Sequence, residues 1–279
     1  MNGFISVYKP KGYSSNKVVQ AVKRKHNFRK VGHLGTLDPM AQGLLVLAIN
    51  RATKFSSYFL NSNKSYMAKV QIGTSTDTDD AEGKVIKTSA KSFSKKEVEA
   101  ALMSFIGKQF QEPPYFSALK HKGKPMYKYA REGEFIKKDP REIEIFSIEN
   151  YDLKKNVCSF DITCSKGTYI RSIARDLGIK LESAAHLIFL ERTKQDIFSI
   201  DMTVDVDDCS DKSIMEIDKA FSNLKSLKLD PMISKKFTNG ARIEYKTNPD
   251  GVYKVYNFEN IFLGLGSINN KILKSKQLV

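Results

Sequence analysis

Apolar and polar residues change rhythm along the chain in a way that outlines its elements. Phe4 to Val7 is a short, mainly apolar run that stops at the turn Lys9-Pro10-Lys11-Gly12 and predicts a strand. Ser14 or Ser15 can cap a helix after that turn, with Val18, Val19 and Val22 on one face. A Gly-rich turn from Gly32 to Pro39 leads into Leu44 to Ile49, a run of six apolar residues. Residues 64 to 73, KSYMAKVQIG, alternate partly with a period of two and predict a half-exposed strand. Ser94 with Glu97 three positions on is a capping box, opening a helix whose apolar face is Val98, Ala101, Leu102 and Phe105.

Beyond the Pro113-Pro114 break the pattern fades. Residues 114 to 141 are rich in Lys, Gly and Tyr, which predicts a mobile loop or arm. Val157 to Cys164 and Ala185 to Leu190 predict strands on either side of a helix from about Tyr169 to Leu177, with Gly178 closing it. The acidic stretch 201 to 223 is expected to hold a short helix. From Lys225 onward the runs TNGARIEY, GVYKVYNF and IFLGLGSI alternate with turns and predict a small β domain, so the expected units are 1–223 and 224–279. Neither an internal repeat nor a low-complexity tract is present.

Composition narrows the class of protein. A 41% hydrophobic fraction, with 17 Phe and 12 Tyr in 279 residues, can fill a sizeable core and excludes disorder as the main state. Six apolar residues in a row fall far short of the about 20 that a spanning helix needs. The N-terminus lacks a basic start followed by a long apolar stretch, so the expectation is a cytoplasmic protein with no membrane partner. Cys158, Cys164 and Cys209 form no C-x-x-C pair and read as reduced, partly buried residues, neither a disulfide framework nor a zinc clip.

Charge is the informative quantity. The chain carries 46 Lys plus Arg against 31 Asp plus Glu, a formal net charge of +15. Residues 1 to 76 hold twelve cations and one acid, Asp38, whereas residues 77 to 200 hold 22 cations and 19 acids. Residues 201 to 223 hold seven acids and two lysines, and residues 224 to 279 hold ten cations and four acids. Two basic regions separated by an acidic connector point to two surfaces that face nucleic acid.

Asp38 stands alone in a positive field that holds it ionised. Asp before Pro is a common turn former, which is the simpler reading of this residue. Gly32 and Gly35 allow close approach of another chain, and Pro39 biases Asp38 toward an extended backbone, so the carboxylate is presented from a stiff loop end. Downstream, Ile170, Ile173, Ala174 and Leu177 recur at helical spacing and bring Arg171 and Arg175 to one flank of a helix. Those arginines are either structural or the guanidinium partner that keeps a cleft carboxylate anionic. Ser117 to Arg131 interleaves five Lys or Arg with Tyr127 and Tyr129, and Lys23 to Lys30 holds five cations in eight residues. Each is either a solvated surface or a site for phosphates and unpaired bases.

Other chemistries lack their residues. The turn is no dinucleotide fingerprint and no P-loop, since neither G-x-G-x-x-G nor G-K-[ST] occurs there. Asp77, Asp79, Asp80 and Glu82 fail as an EF-hand because Ala81 takes a ligand position and no Glu closes the loop. His26, His33, His121 and His186 lack metal-ligand spacing, and no G-x-S-x-G elbow exists.

GHLGTLDPMAQGLL at 32 to 45 resembles the G-H-x-G-x-L-D-P motif of the TruB family of tRNA pseudouridine synthases. The likeness continues through KPKGYSS at 9 to 15, KSYMAKVQIG at 64 to 73, TSTDTDDAEG at 74 to 83, SALKHKGKPMYKYAREG at 117 to 133 and CSKGTYIRSIARDLG at 164 to 178. It implies an α+β fold: a catalytic core of pseudouridine synthase type with a mixed, mainly antiparallel sheet, and a small C-terminal PUA-like RNA-binding β domain. It also implies a monomeric isomerase that needs neither cofactor nor metal. Its substrate would be tRNA, bound through the T stem-loop, with the T-loop uridine at tRNA position 55 converted to pseudouridine. Position by position, Asp38 falls on the nucleophile, Tyr66 on the residue that stacks on the target base, and Arg171 on the carboxylate's partner. His33, Tyr169 and Leu190 fall on positions that contact the flipped nucleotide. The chain departs from the family's usual residues at Tyr8, Leu34 and Gln42. Two other readings stand beside this one: an RNA-binding or tRNA-folding protein without chemistry, and a guide-RNA-directed synthase of the same superfamily.

Overall fold

The strand Lys64–Ile72 alternates as its sequence predicts. Lys64, Tyr66, Ala68, Val70 and Ile72 turn to one buried face, and the residues between them are more exposed. The structure, a computed structural model, describes all 279 residues and places this strand inside a ten-stranded sheet. The sheet runs in the order Met215–Glu216, Gly3–Lys9, Gln42–Ile49, Ala185–Gln195, Lys64–Ile72, Val157–Cys164, Arg141–Lys154 and Gly107–Gln111. Val31–His33 and Phe198–Ser199 add on at the side. All of its pairings are antiparallel except a short parallel contact, Glu191 with Gln42 and Arg192 with Gly43. That junction brings the end of the Gly-rich turn beside the Ala185–Gln195 strand.

The apolar run Leu44 to Ile49 is continuous because both faces of its strand are covered. Leu44, Val46 and Ala48 pack with Phe4, Phe55, Phe59, Phe198 and Phe221. Leu45, Leu47 and Ile49 pack with Val18, Val19 and Val22 of the helix Ser15–Lys25, which Ser14 caps by accepting from the Lys17 amide. Elsewhere the helices Lys95–Met103 and Ile170–Lys180 cover one face, burying Val98, Leu102, Ile170, Ile173 and Leu177 against Tyr66, Ala68 and Val70. The capping box of Ser94 and Glu97 is formed. A second, five-stranded sheet from Ser226–Lys228 to Ile272–Leu278, with the helix Pro231–Thr238, encloses Leu227, Phe237, Val255, Ile268 and Leu273. Its Leu265 reaches into the Phe55 and Phe221 cluster. No helix is long and apolar enough to cross a membrane.

Three expectations change. The helix after Tyr169 continues to Lys180, so Gly178 does not close it. Gly178 is buried inside the helix, where a Cβ would lie 2.5 Å from the Ala185 amide nitrogen and 2.8 Å from the Ala184 carbonyl carbon. It therefore lets the helix meet the start of the next strand. The acidic stretch contains no α-helix; it folds as 3-10 turns at Ile200–Met202, Asp211–Ser213 and Lys219–Phe221 and the short strand Met215–Glu216. An α-helix there would stack Asp205, Asp208 and Asp211 on one face at like-charge cost. The 114–141 segment is not patternless: it forms a hairpin, Lys120–His121 with Lys124–Pro125, then the helix Met126–Arg131, with Met126 and Ala130 buried.

Candidate active site

Asp38 lies on the loop between Val31–His33 and Gln42–Ile49, and three contacts fix that loop. The buried Ser15 hydroxyl accepts from the Leu37 amide at 2.8 Å and donates to the Leu37 carbonyl at 2.9 Å. The Gly12 amide donates to the Pro39 carbonyl at 2.7 Å, and the Ala41 amide donates to the Asp38 carbonyl at 3.1 Å. The KPKG turn and its helix thus clamp both sides of the carboxylate.

Across from it, the first turn of Ile170–Lys180 projects Arg171, only 5% exposed. Its Nη2 meets Asp38 Oδ2 at 2.7 Å and donates to the Phe116 carbonyl at 3.0 Å. Its Nη1 donates to the Thr78 carbonyl at 3.1 Å and lies 3.6 Å from Asp80 Oδ2. Asp38 remains 36% exposed, so the guanidinium is fixed by the protein while the carboxylate keeps an open face. Arg175, one turn on, pairs with Asp79 and Asp176 and belongs to the support of the site. Burial raises Asp79 to about 6, and Arg175 opposes that rise.

A cleft of about 260 Å³ opens beside this pair, and Asp38, Tyr66, Tyr169, Arg171 and Leu190 all line it. Tyr66 is buried, which pushes its phenol up to about 12 against the opposing charge of Arg192. Tyr169 is held at both backbone atoms by Gln111, whose Oε1 accepts from its amide at 2.8 Å and whose Nε2 donates to its carbonyl at 3.1 Å. The Arg141 guanidinium stands 4.9 Å from the Tyr169 ring centre. His33 does not line the cleft: it pairs with Leu47 in the sheet, and burial together with the charge of Arg192 lowers its pKa.

Sequence reasoning missed three buried cations. Arg192 is 0% exposed and stands opposite Tyr66 in one neighbouring strand and Gly43 in the other. Lys64 lines the same cleft, and Lys9, 0% exposed, donates to the Tyr13 carbonyl at 2.6 Å behind the Asp38 loop. Burial pulls both lysines from 10.5 to about 8. Period-two alternation was a usable signal for Lys64, which shares the face of Tyr66, and for Arg192, two residues beyond Leu190. Two of the residues that depart from the family pattern meet at one atom: the Tyr8 hydroxyl and Gln42 Nε2 both donate to Glu191 Oε1, at 2.8 and 2.9 Å.

Residues 23–170 match the model of the TruB family pseudouridylate synthase N-terminal domain, and residues 226–279 match that of the pseudouridine synthase II TruB C-terminal domain. Among curated relatives, the tRNA pseudouridine synthase B of Clostridium tetani is 38% identical, with 100% of both chains covered. That of Francisella philomiragia is 37% identical over 99% of this chain and 94% of its own. The fold is shared with a chain of an H/ACA RNP bound to a substrate RNA containing 2'-deoxyuridine, at a TM-score of 0.72 and 19% identity over 99% of this chain and 84% of that one. A Cbf5-Nop10-Gar1 complex gives 0.70 and 22%, covering 95% and 78%. Matched by both domain models and 38% identical along its whole length to a curated member, the chain belongs to the TruB family of pseudouridine synthases.

Proposed function

We propose that this chain isomerises a uridine in the T loop of tRNA to pseudouridine, with Asp38 as the nucleophile. The observation that carries the reading is the half-open Asp38 carboxylate gripped at 2.7 Å by the buried Arg171 at the edge of a base-sized cleft. The reaction must break the N1–C1′ bond, turn the uracil and rejoin it through C5. It has no net redox change, so its balance calls for no cofactor. The uridine first leaves its stack at a cost of a few kcal/mol, offset by stacking on Tyr66 and by phosphate contacts. Asp38 then attacks C1′ or C6, or takes a ribose proton to give a glycal. The C5 proton leaves at the end to a base; Tyr66 is the candidate, and its phenol, raised to about 12 and so neutral, serves only once its own proton has passed on.

The catalytic unit in this reading is 1–223, with the 114–141 arm on the RNA, and 224–279 is a second RNA contact. The arm's root reaches the cleft through Ala118 and the Phe116 carbonyl, which supports its role. A monomer acting in the cytoplasm is part of this reading. The curated relatives are named for tRNA, which favours bare tRNA over a guide-directed substrate.

Tritium release from C5-labelled uridine in a tRNA transcript tests the chemistry. Release without any guide RNA is expected, whereas tight binding with no release would leave a non-catalytic RNA-binding protein. The basic surfaces give a separate expectation: log affinity for tRNA falls linearly with log salt, by about 0.7 to 0.9 per phosphate contact. A flat response would make the +15 charge a matter of solubility.

Lys9 and Lys64 add a pH dependence of opposite signs. Their folded pKa of about 8 lies below the ordinary 10.5, so the unfolded chain binds more protons between those values, and folding stability from this source rises with pH across that window. Activity should fall over the same window as Lys64, in the cleft, loses its charge, with tRNA affinity little changed. Thermal unfolding and kcat/KM measured from pH 7 to about 10 check both directions.

A further inference from the structure

We propose that Arg192 and Lys64 form an anion site in the wall of the cleft that holds the detached uracil, as its anion, while it turns from N1 to C5. The inference rests on the isomerase reading above and assigns two residues that the nucleophile and stacking roles leave without a function.

Arg192 is one of the largest fully buried side chains in the protein. Its Nε donates to the Leu44 carbonyl at 2.8 Å and its Nη2 to the Gly35 carbonyl at 3.0 Å, while its buried Nη1 has no partner. Lys64 Nζ donates to the Ser62 carbonyl at 2.8 Å and the Leu60 carbonyl at 3.3 Å, which leaves one of its three N–H groups. The ion pairs of the cleft belong to Arg171, which has Asp38 and Asp80; Arg192 and Lys64 take part in none. The Arg192 guanidinium and the end of the Lys64 stem approach one point. A Cβ built on Gly35 would stand 3.3 Å from Arg192 Nη1 and 3.4 Å from Lys64 Cε. Gly35 lines the cleft with them, and its φ of +153° is one that a side chain would strain.

A buried cation without a counter-ion is costly to keep, and a methionine would fill the same volume without that cost. The missing negative charge therefore arrives with the substrate and develops during reaction. When the N1–C1′ bond breaks, its electron pair stays on N1, so the departing base is uracilate with charge shared among N1, O2 and O4. On the ribose side, C1′ bonds to the Asp38 carboxylate, or C2′ gives that carboxylate a proton. On rejoining, a C5 electron pair forms the C5–C1′ bond and the carboxylate leaves, or returns its proton to C2′. The C5 proton then passes to a base, and N1 takes up a proton. Uracilate exists only between the two bond changes, so donors fixed beside Tyr66 stabilise the reacting state more than the bound uridine.

The test uses the full chain and an unmodified tRNA transcript. Single-turnover rate at saturating enzyme, tRNA Kd and thermal unfolding are measured for wild type, Arg192→Lys, Arg192→Ala and Lys64→Met. The expected result is a rate lower by about 100-fold for the Arg192 variants and about 10-fold for Lys64→Met, with Kd within threefold of wild type. Added guanidinium at concentrations below unfolding should restore part of the Arg192→Ala rate. A loss confined to Kd would assign the pair to a phosphate and overturn the proposal. So would rates within threefold of wild type. A rate loss that tracks lowered thermal stability without guanidinium rescue would make Arg192 a packing residue satisfied by the unpaired Gln195 Oε1, which lies 3.6 Å from the same Gly35 point. Should Arg192→Ala not fold, Arg192→Lys and Lys64→Met decide the matter. An inactive wild-type enzyme would instead sink the isomerase reading itself, while an active one with unaffected variants would sink only this inference.

Discussion

Asp38→Asn should lower pseudouridine formation by about 10⁴-fold or more while leaving the fold and most of the tRNA affinity in place. The amide oxygen can still accept from Arg171 Nη2, so the loop keeps its shape. What is lost is the anion, and neither attack on carbon nor removal of a ribose proton proceeds from a neutral amide. The stability cost should stay within about 1 kcal/mol, because Asp38 is 36% exposed and Arg171 retains Asp80 and two backbone carbonyls. Steady-state turnover, tRNA Kd and thermal unfolding of the purified variant separate these effects. Substantial activity in the variant would remove Asp38 from the chemistry.

Arg171→Met should be damaging in both respects. The guanidinium is 5% exposed and Asp80 beside it is 7% exposed, so its removal strands a buried carboxylate and the Thr78 and Phe116 carbonyls. Breaking such a buried pair costs about 3 to 5 kcal/mol, which for a chain of this size lowers the melting temperature by roughly 10 °C. Activity should fall by about 10³-fold, since Asp38 loses the partner that aims it. Arg171→Lys keeps a charge but cannot bridge Asp38 and Asp80 together, and its loss should be intermediate. An arginine serving only as a solvated helix flank would show neither effect.

Local pattern predicted most of the elements because each carried its own signal. The alternation of Lys64 to Ile72, the capping box at Ser94 and the valine face after Ser14 all rest on residues close in sequence. The failures occurred where a distant contact decides. Gly178 looks like a helix stop until Ala185 is seen against it. Asp79 and Asp80 looked like a poor calcium loop, yet they are the counter-ions of Arg175 and Arg171, about 90 residues away in the chain. The site was legible through its motifs, with Asp38, Tyr66, Tyr169, Arg171 and Leu190 meeting at one cleft. Arg192 was not, because its meaning depends on standing between Tyr66 and Gly43 in a sheet whose strand order a sequence does not display. His33 carries a motif position but sits on the sheet outside the cleft lining.

The decisive measurement is chemical mapping of pseudouridine on a single unmodified tRNA transcript incubated with the wild-type chain alone. One new pseudouridine in the T loop, absent when Asp38→Asn replaces the wild type, is the expected result. No pseudouridine, modification outside the T loop, or an unchanged yield with the variant would contradict it.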